Sequence, residues 1–484
     1  MATDDSTSLV PLPISNELEK SINSLSEPLA GYLSSLGLPT ENILAPIDER
    51  KKVIDQLENA LAELPMEERE RSYYLTKFTV AIAIGLFDGA LSYLWNETII
   101  ALRRMVANFD LAYFFSVAEK ISSRNRNFGS VEDLDQVQDH DLLEACRRIG
   151  FISDVNYRRL ENVDFMRNHA SAAHPNEIEI DGYEMLAYLS NCLRYAIVAK
   201  PNQSVISINR LLGNIRTTVI PEADFTVIGS EIEKLSQERI DDLLWTLFGL
   251  YVDSRQTADT KSNIGNLAGF AWTPSSEDRR YEIGAKYGIF RKNADVRQTE
   301  AAEAFLQLVD GQRYKDDDSL AGELLEKLDT LKSVHFGMNN FYSEHPHAKV
   351  LGQSLPINGI VPRAARPGWV KVVCICYIGN GHGYLQGVDE AALPYYADYV
   401  NSFGEAEIVE FLHLMGDAEV NSAFSRKKAD ARVRELAGIL KSKSDNIHIK
   451  KALDLIMAAP AGKLDVIFGI TDYKTALKFV PNHK

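Results

Sequence analysis

At 484 residues and 45% hydrophobic side chains the chain is long enough for roughly two to four domains with real cores. Its formal charge of −16 argues against a protein that coats nucleic acid through long-range attraction, and the four cysteines, at 146, 192, 374 and 376, show neither a disulfide ladder nor zinc spacing. Met1 is followed by a polar Ala-Thr-Asp-Asp-Ser run and no apolar stretch reaches membrane length, so a cytoplasmic chain with no secretory signal and no membrane contact is expected.

In chain order, helical patterns dominate and the expected class is all-α. Residues 1–13 read as a loose tail, and Asn16 to Leu36 as an amphipathic helix with Leu18, Ile22, Leu25, Leu29 and Leu33 on one face. Pro39 and Pro46 interrupt, and a second helix runs from Asp48 to Leu64, stopped by Pro65. Residues 72–108 are apolar-rich, a central helix or a broken pair with Gly85 and Gly89 as break points. Helices follow at Leu111–Ile121 and at Asp139–Ile149, the latter closed by Gly150. A further helix is expected from Ser153 to His174, where Pro175 ends it, with Leu160, Val163, Met166, Ala170 and Ala173 as its buried stripe. Asp181-Gly-Tyr-Glu184 has the form of a capping box opening a helix to about Val198.

Pro201 and the polar run after it mark a linker. Beyond it, helical patterns appear at about 231–253, 299–310, 318–333, 389–400, 404–415, 430–442 and 448–458, with Trp369–Tyr377 the main strand-like run. The organisation expected is a tail and N-terminal helix over 1–40, a helical domain over 41–200, and a helical, solenoid-like region over 201–484. Charge divides the same way: residues 1–200 hold 31 acidic against 19 basic side chains, a net of −12, and residues 421–484 hold 13 basic against 6 acidic, a net of +7.

The stretch Asp164-Phe-Met-Arg167-Asn168-His-Ala-Ser171-Ala-Ala-His174-Pro175 carries the most chemistry. At about 100° per residue, Arg167 and His174 lie within about 20° of each other on a helix, two turns apart. A guanidinium holds phosphate charge and an imidazole moves a proton near neutral pH, so the pair suits action on a phosphodiester. Asp164 and Ser171 fall close to the same stripe; His169 falls about 140° away from His174. The plain alternative is an Asp164–Arg167 surface pair with His174 as a C-cap.

This pattern of an Arg, a polar residue directly after it and six residues in all before the His resembles the signature of the HEPN superfamily, helical domains that often act as metal-independent ribonucleases. The resemblance is sharp over residues 150–200 and does not reach the C-terminal 280 residues. It implies His174 as proton-transfer group, Arg167 as phosphate holder and Asn168 as a hydrogen-bonding partner of substrate or histidine, with Asp164 and Ser171 in support. It also implies RNA as partner, a homodimer that joins two motifs, a toxin or phage-defence role with a cognate regulatory protein, and neither cofactor nor metal. A catalytically inactive HEPN-like binding or scaffold module is the alternative. RNA contacts would fall to Arg124, Arg126, Arg147, Arg148, Arg158 and Arg159, and in the basic tail to Arg426, Lys427 and Lys428, whose helical face continues through Arg432 and Arg434.

Three weaker patterns read plainly. Gly379-Asn-Gly-His-Gly383 lacks the Lys-Ser/Thr of a phosphate loop and reads as a flexible turn. His335, His345 and His347 beside Glu344 suggest a metal set, but Pro346 between two of them suits a surface loop. Cys374 and Cys376 read as reduced core thiols.

Overall fold

The computed structural model describes residues 24, 28–40, 43–62, 64–170, 179–200, 203–381, 387–420 and 427–480. These residues form helices and turns and no strand, so the chain is all-α. Contacts divide it into two units: Met1–Tyr251 with Arg255–Ser275, and Val252–Ser254 with Ser276–Lys484.

In the first unit, after a short helical stretch at 28–35, α1 (Ile47–Leu61) and α2 (Met66–Arg71) lead to α3 (Tyr73–Ile84) and α4 (Phe87–Ala107). Gly85 separates the last two, with φ +88 where a side chain would be strained; Gly89 lies within the first turn of α4. Next come α5 (Leu111–Ile121), α6 (Asp139–Ile149, closed by Gly150 at φ +99) and α7 (Asp154–His169). Helix α8 (Gly182–Cys192) opens on the expected Asp181–Glu184 capping box and runs into a π turn over Leu193–Ile197. Helix α4 is central: Leu91, Leu94, Trp95, Thr98 and Leu102 are buried, and α3, α6, α7 and α8 pack against it. Helix α7 buries Tyr157, Leu160, Val163 and Met166, each three residues from the next, and the last three belong to the stripe the sequence shows.

The first unit does not stop at Pro201. It takes in α9 (Gln203–Thr217), α10 (Glu222–Ile232), α11 (Gln237–Val252, as far as Tyr251) and α12 (Ala258–Trp272). Ion pairs explain the extension. Arg216 pairs with Asp110 at the N-cap of α5, Arg148 of α6 with Asp242 of α11, and the Ser116 and Thr246 hydroxyls meet at 2.9 Å.

The second unit contains α13 (Glu277–Lys292), α14 (Val296–Leu308), α15 (Asp317–His335), α16 (Asn340–Gln353), α17 (Arg366–Ile378), α18 (Leu393–Ser402) and α19 (Glu405–Leu414). It ends with α20 (Lys427–Lys441), α21 (Ile447–Ala458) and α22 (Thr471–Lys478). Helix α17 is the run that looked strand-like. Trp369, Val370, Val372, Val373, Cys374, Ile375, Cys376 and Ile378 are all buried, and from Trp369 on only Lys371 and Tyr377 are not, so the sequence shows no helical period. It touches α15, α18, α19 and α20, a centred core rather than a one-dimensional stack of repeats.

Two further expectations change. His345, Pro346 and His347 lie inside α16, not in a loop. Pro346 has no N–H to donate to the Tyr342 carbonyl, but Tyr342 is exposed to water, and the His345 N–H turns instead to Asp389 Oδ2 at 3.0 Å. Arg432 and Arg434 do not form a free basic face. Arg432 donates to the Tyr377 and Ile378 carbonyls at the end of α17, and Arg434 to Asp430 and to the Met457 and Pro460 carbonyls.

Candidate functional site

The motif region sits where the end of α7 meets the start of α6. Asp139 is the first residue of α6, where a carboxylate is favoured by the helix dipole. Its Oδ2 accepts the indole N–H of the wholly buried Trp95 at 2.8 Å and the Arg167 guanidinium at 2.7 Å. Arg167 also donates through Nη1 to Asn168 Oδ1 at 2.8 Å and lies 6.0 Å from the Trp95 ring centre. Asn168 in turn donates to Asp164 Oδ1 at 3.3 Å. One chain of contacts thus runs Trp95–Asp139–Arg167–Asn168–Asp164.

The structure therefore brings Arg167, Asn168 and Asp164 together, but the ion-pair partner of Arg167 is Asp139 rather than Asp164, which meets only the Asn168 amide, and Trp95 joins through Asp139. Burial raises the Asp164 carboxyl above its ordinary range; Arg167 and His140 pull it down and Asp139 pushes it up. Arg167 has five N–H donors, of which two meet acceptors among the described residues, and its side chain is 27% exposed. That leaves a fixed, accessible fork. The exposed Phe165 ring stacks on the His169 imidazole at 4.1 Å on the same helix end.

One geometric expectation is corrected. Helix α7 ends at His169, five residues before His174, with Ala170 at φ −117 as its cap and the Ala170 N–H closing the last turn on Met166. A shared helix stripe for Arg167 and His174 is therefore not a property of α7. Ala170 is buried, as expected; Ser171, Ala173 and His174 lie outside the described residues.

The arginines proposed for RNA are unequal. Arg147 is held by Glu144, Asp154 and Glu238, and Arg148 by Glu238 and the buried Asp242. Arg126 pairs with Glu119 at 3.2 Å, Arg158 with Glu161 at 2.6 Å, and Arg159 donates to the Tyr195 hydroxyl. Arg124 is exposed. Arg426 lies outside the described residues, and Lys427 and Lys428 open α20.

The Gly379–Gly383 turn follows a helix rather than a strand. Gly379 and Gly381 have positive φ, Asn380 donates to the His335 carbonyl, and His382 and Gly383 lie outside the described residues. Asp139 and Trp95 were invisible in the sequence because they lie 28 and 72 positions from Arg167. The one signal was that Asp139 and Asp141 bracket His140 at a helix start. No protein-family model, no curated protein and no solved structure matches this chain.

Proposed function

We propose that the first unit is a metal-independent endoribonuclease of HEPN type, with Arg167 holding the scissile phosphate and His174 moving a proton. The observation that carries this reading is the Arg167 fork: fixed by Asp139 and Asn168, partly exposed, with three N–H donors meeting no acceptor among the described residues. Chain length supports the partnership, since four residues beyond Ala170 keep the His174 Cα within about 14 Å of the Ala170 Cα.

In the proposed reaction the ribose 2′-oxygen attacks phosphorus as His174 accepts its proton, and the 5′-oxygen of the next nucleotide leaves with a proton from a second donor. Arg167 holds the two non-bridging oxygens bidentately, and Asn168 bonds substrate or histidine while fixing the guanidinium. A toxin or phage-defence role with a regulatory partner accompanies this reading through the resemblance alone. The second reading, a binding module without catalysis, draws on the Asp139 carboxylate, which opposes the charge that Arg167 would offer a phosphate.

The test is cleavage of mixed RNA by the full chain with no added divalent ion. Activity lost in His174→Ala and in Arg167→Ala, with unchanged circular dichroism, supports the nuclease. Arg167→Lys should also be inactive, since a point charge does not replace a bidentate fork. RNA bound but left intact by the wild type favours the binding module, and cleavage that survives His174→Ala removes the proposed mechanism.

A further inference from the structure

Four successive helices of the second unit each place one polar side chain in a single buried cluster: His335 from α15, Glu344 from α16, Cys376 from α17 and Tyr396 from α18. All four are wholly buried. His335 Nδ1 lies 3.0 Å from Glu344 Oε1, to which the Tyr396 hydroxyl donates at 2.5 Å, and Asn340 Nδ2 donates to Glu344 Oε2 at 3.2 Å. One ligand atom each from His335, Glu344 and Cys376 lie within 4.8 Å of one another. His345, the neighbour that looked eligible in the sequence, turns to the Ala391 carbonyl instead.

Two deficits mark the cluster. Glu344 is a fully buried carboxyl group whose partners among the described residues are the His335 ring nitrogen, an amide and a phenol, with no lysine or arginine among them. The second deficit is His335 Nε2, a buried ring nitrogen with no hydrogen-bond partner among the described residues.

We propose that this cluster is a metal site that takes one zinc-class divalent cation, with Cys376 as thiolate, Glu344 through a carboxylate oxygen and His335 through an imidazole nitrogen. The donor set selects the ion. A mixed sulfur, nitrogen and oxygen site of three protein ligands suits four-coordinate zinc, whereas magnesium and calcium take oxygen ligands alone. Charge closes as well: one thiolate and one carboxylate neutralise a divalent ion in an interior that tolerates no net charge. Binding releases the Cys376 proton to solvent, because burial and Glu344 together hold the free thiol well above its ordinary range. Tyr396 and Asn340 orient the carboxylate, the outer support that such ligands need. The ion ties α15, α16 and α17 at one point and is independent of the RNA reading, which concerns the first unit.

The experiment is titration of the metal-free full chain with Co2+, read by absorption. The expected result is binding of about one Co2+ per chain, a thiolate-to-cobalt charge-transfer band in the near ultraviolet, and its loss when Zn2+ is added. Cys376→Ser should remove the band and Cys374→Ser keep it. Glu344→Gln, which keeps the side-chain volume and removes the carboxylate ligand, should weaken Co2+ at least about tenfold. No band in the wild type overturns the proposal, as does a band of full strength in Cys376→Ser or undiminished affinity in Glu344→Gln. Should Cys376→Ser not fold, the wild-type and Glu344→Gln titrations decide the matter.

Discussion

Arg167 Nη2 and Asp139 Oδ2 form a 2.7 Å ion pair that fastens the last turn of α7 to the first residue of α6, and the same oxygen receives the Trp95 indole N–H. Asp139 is therefore a hub whose loss strands a buried indole donor as well as freeing the arginine. Asp139→Ala should lower the unfolding free energy by about 2–3 kcal/mol, since a charge-assisted and a neutral hydrogen bond go together. Asp139→Asn keeps an acceptor oxygen and should cost about 1 kcal/mol, because the ion pair itself is partly solvent-screened. Urea unfolding followed by Trp fluorescence measures both. Equal losses in the two variants would mean that charge, not hydrogen bonding, carries the contact.

Buried Asp242 gives the first unit a pH dependence of unusual sign. Burial holds its carboxyl at about 7, with Arg148 pulling in the opposite sense. In the unfolded chain the group ionises near its ordinary value of about 4. Between about pH 4 and pH 7 the folded chain thus keeps a proton that the unfolded chain has lost, so stability falls as pH rises through that window and levels above it. Asp164, also raised by burial, adds in the same direction. Asp242→Asn stays neutral throughout and should flatten the fall, by a few kcal/mol at about 1.4 kcal/mol per pKa unit. Urea midpoints from pH 4 to 8 test it; an unchanged slope in the variant would assign the dependence elsewhere.

Two helical glycines should respond oppositely to alanine. A Cβ on Gly284 of α13 would lie 1.7 Å from the Tyr314 carbonyl oxygen, where backbone has to move. Gly284→Ala should destabilise the second unit by about 3 kcal/mol or more. Gly269, exposed on α12, has no atom within 4 Å of the same position, and Gly269→Ala should stabilise by about 0.5–1 kcal/mol through a less disordered unfolded chain. Thermal melts of the two variants should move in opposite directions, and a tolerated Gly284→Ala would contradict the close approach of α13 to the Tyr314 turn.

The same glycines show why part of the fold was legible and part was not. Helices α6 and α8 announce themselves through Gly150 and the Asp181–Glu184 box, local devices whose partners lie within a few residues. Helix α13 carries Gly284 and Gly288 because other backbone and side chains crowd it, and from sequence alone such glycines look like loop. Helix α17 is buried from Trp369 on except at Lys371 and Tyr377, and so has no period to read. The site divides likewise. Arg167, Asn168 and Asp164 are neighbours in sequence, and their contacts follow from spacing. Asp139, Trp95 and the His335–Glu344–Cys376 cluster come together only through tertiary packing, which no local pattern encodes.

In the proposed reaction Arg167 would hold charge and His174 would move one proton, but expelling the 5′-oxygen requires a second proton-transfer group facing the first across the phosphate. A two-fold interface supplies that group without new residues, by bringing two copies of one motif to a common cleft. The proposed nuclease should therefore be a homodimer, or contain one, in light scattering at working concentration. Its cleft needs local cations, because the region 1–200 has a net charge of −12 and Arg147 and Arg148 are already committed to acidic partners. Arg124, exposed near the end of α5, is the best available contributor, and Arg124→Glu should weaken RNA binding with a smaller salt dependence. Mixing His174→Ala with Arg167→Ala subunits probes the shared cleft directly: mixed dimers should cleave with an activity that neither parent has, or each variant should suppress wild-type subunits beyond simple dilution. A fully active monomer would remove the two-fold cleft while leaving the roles of Arg167 and His174 to be judged by their own variants.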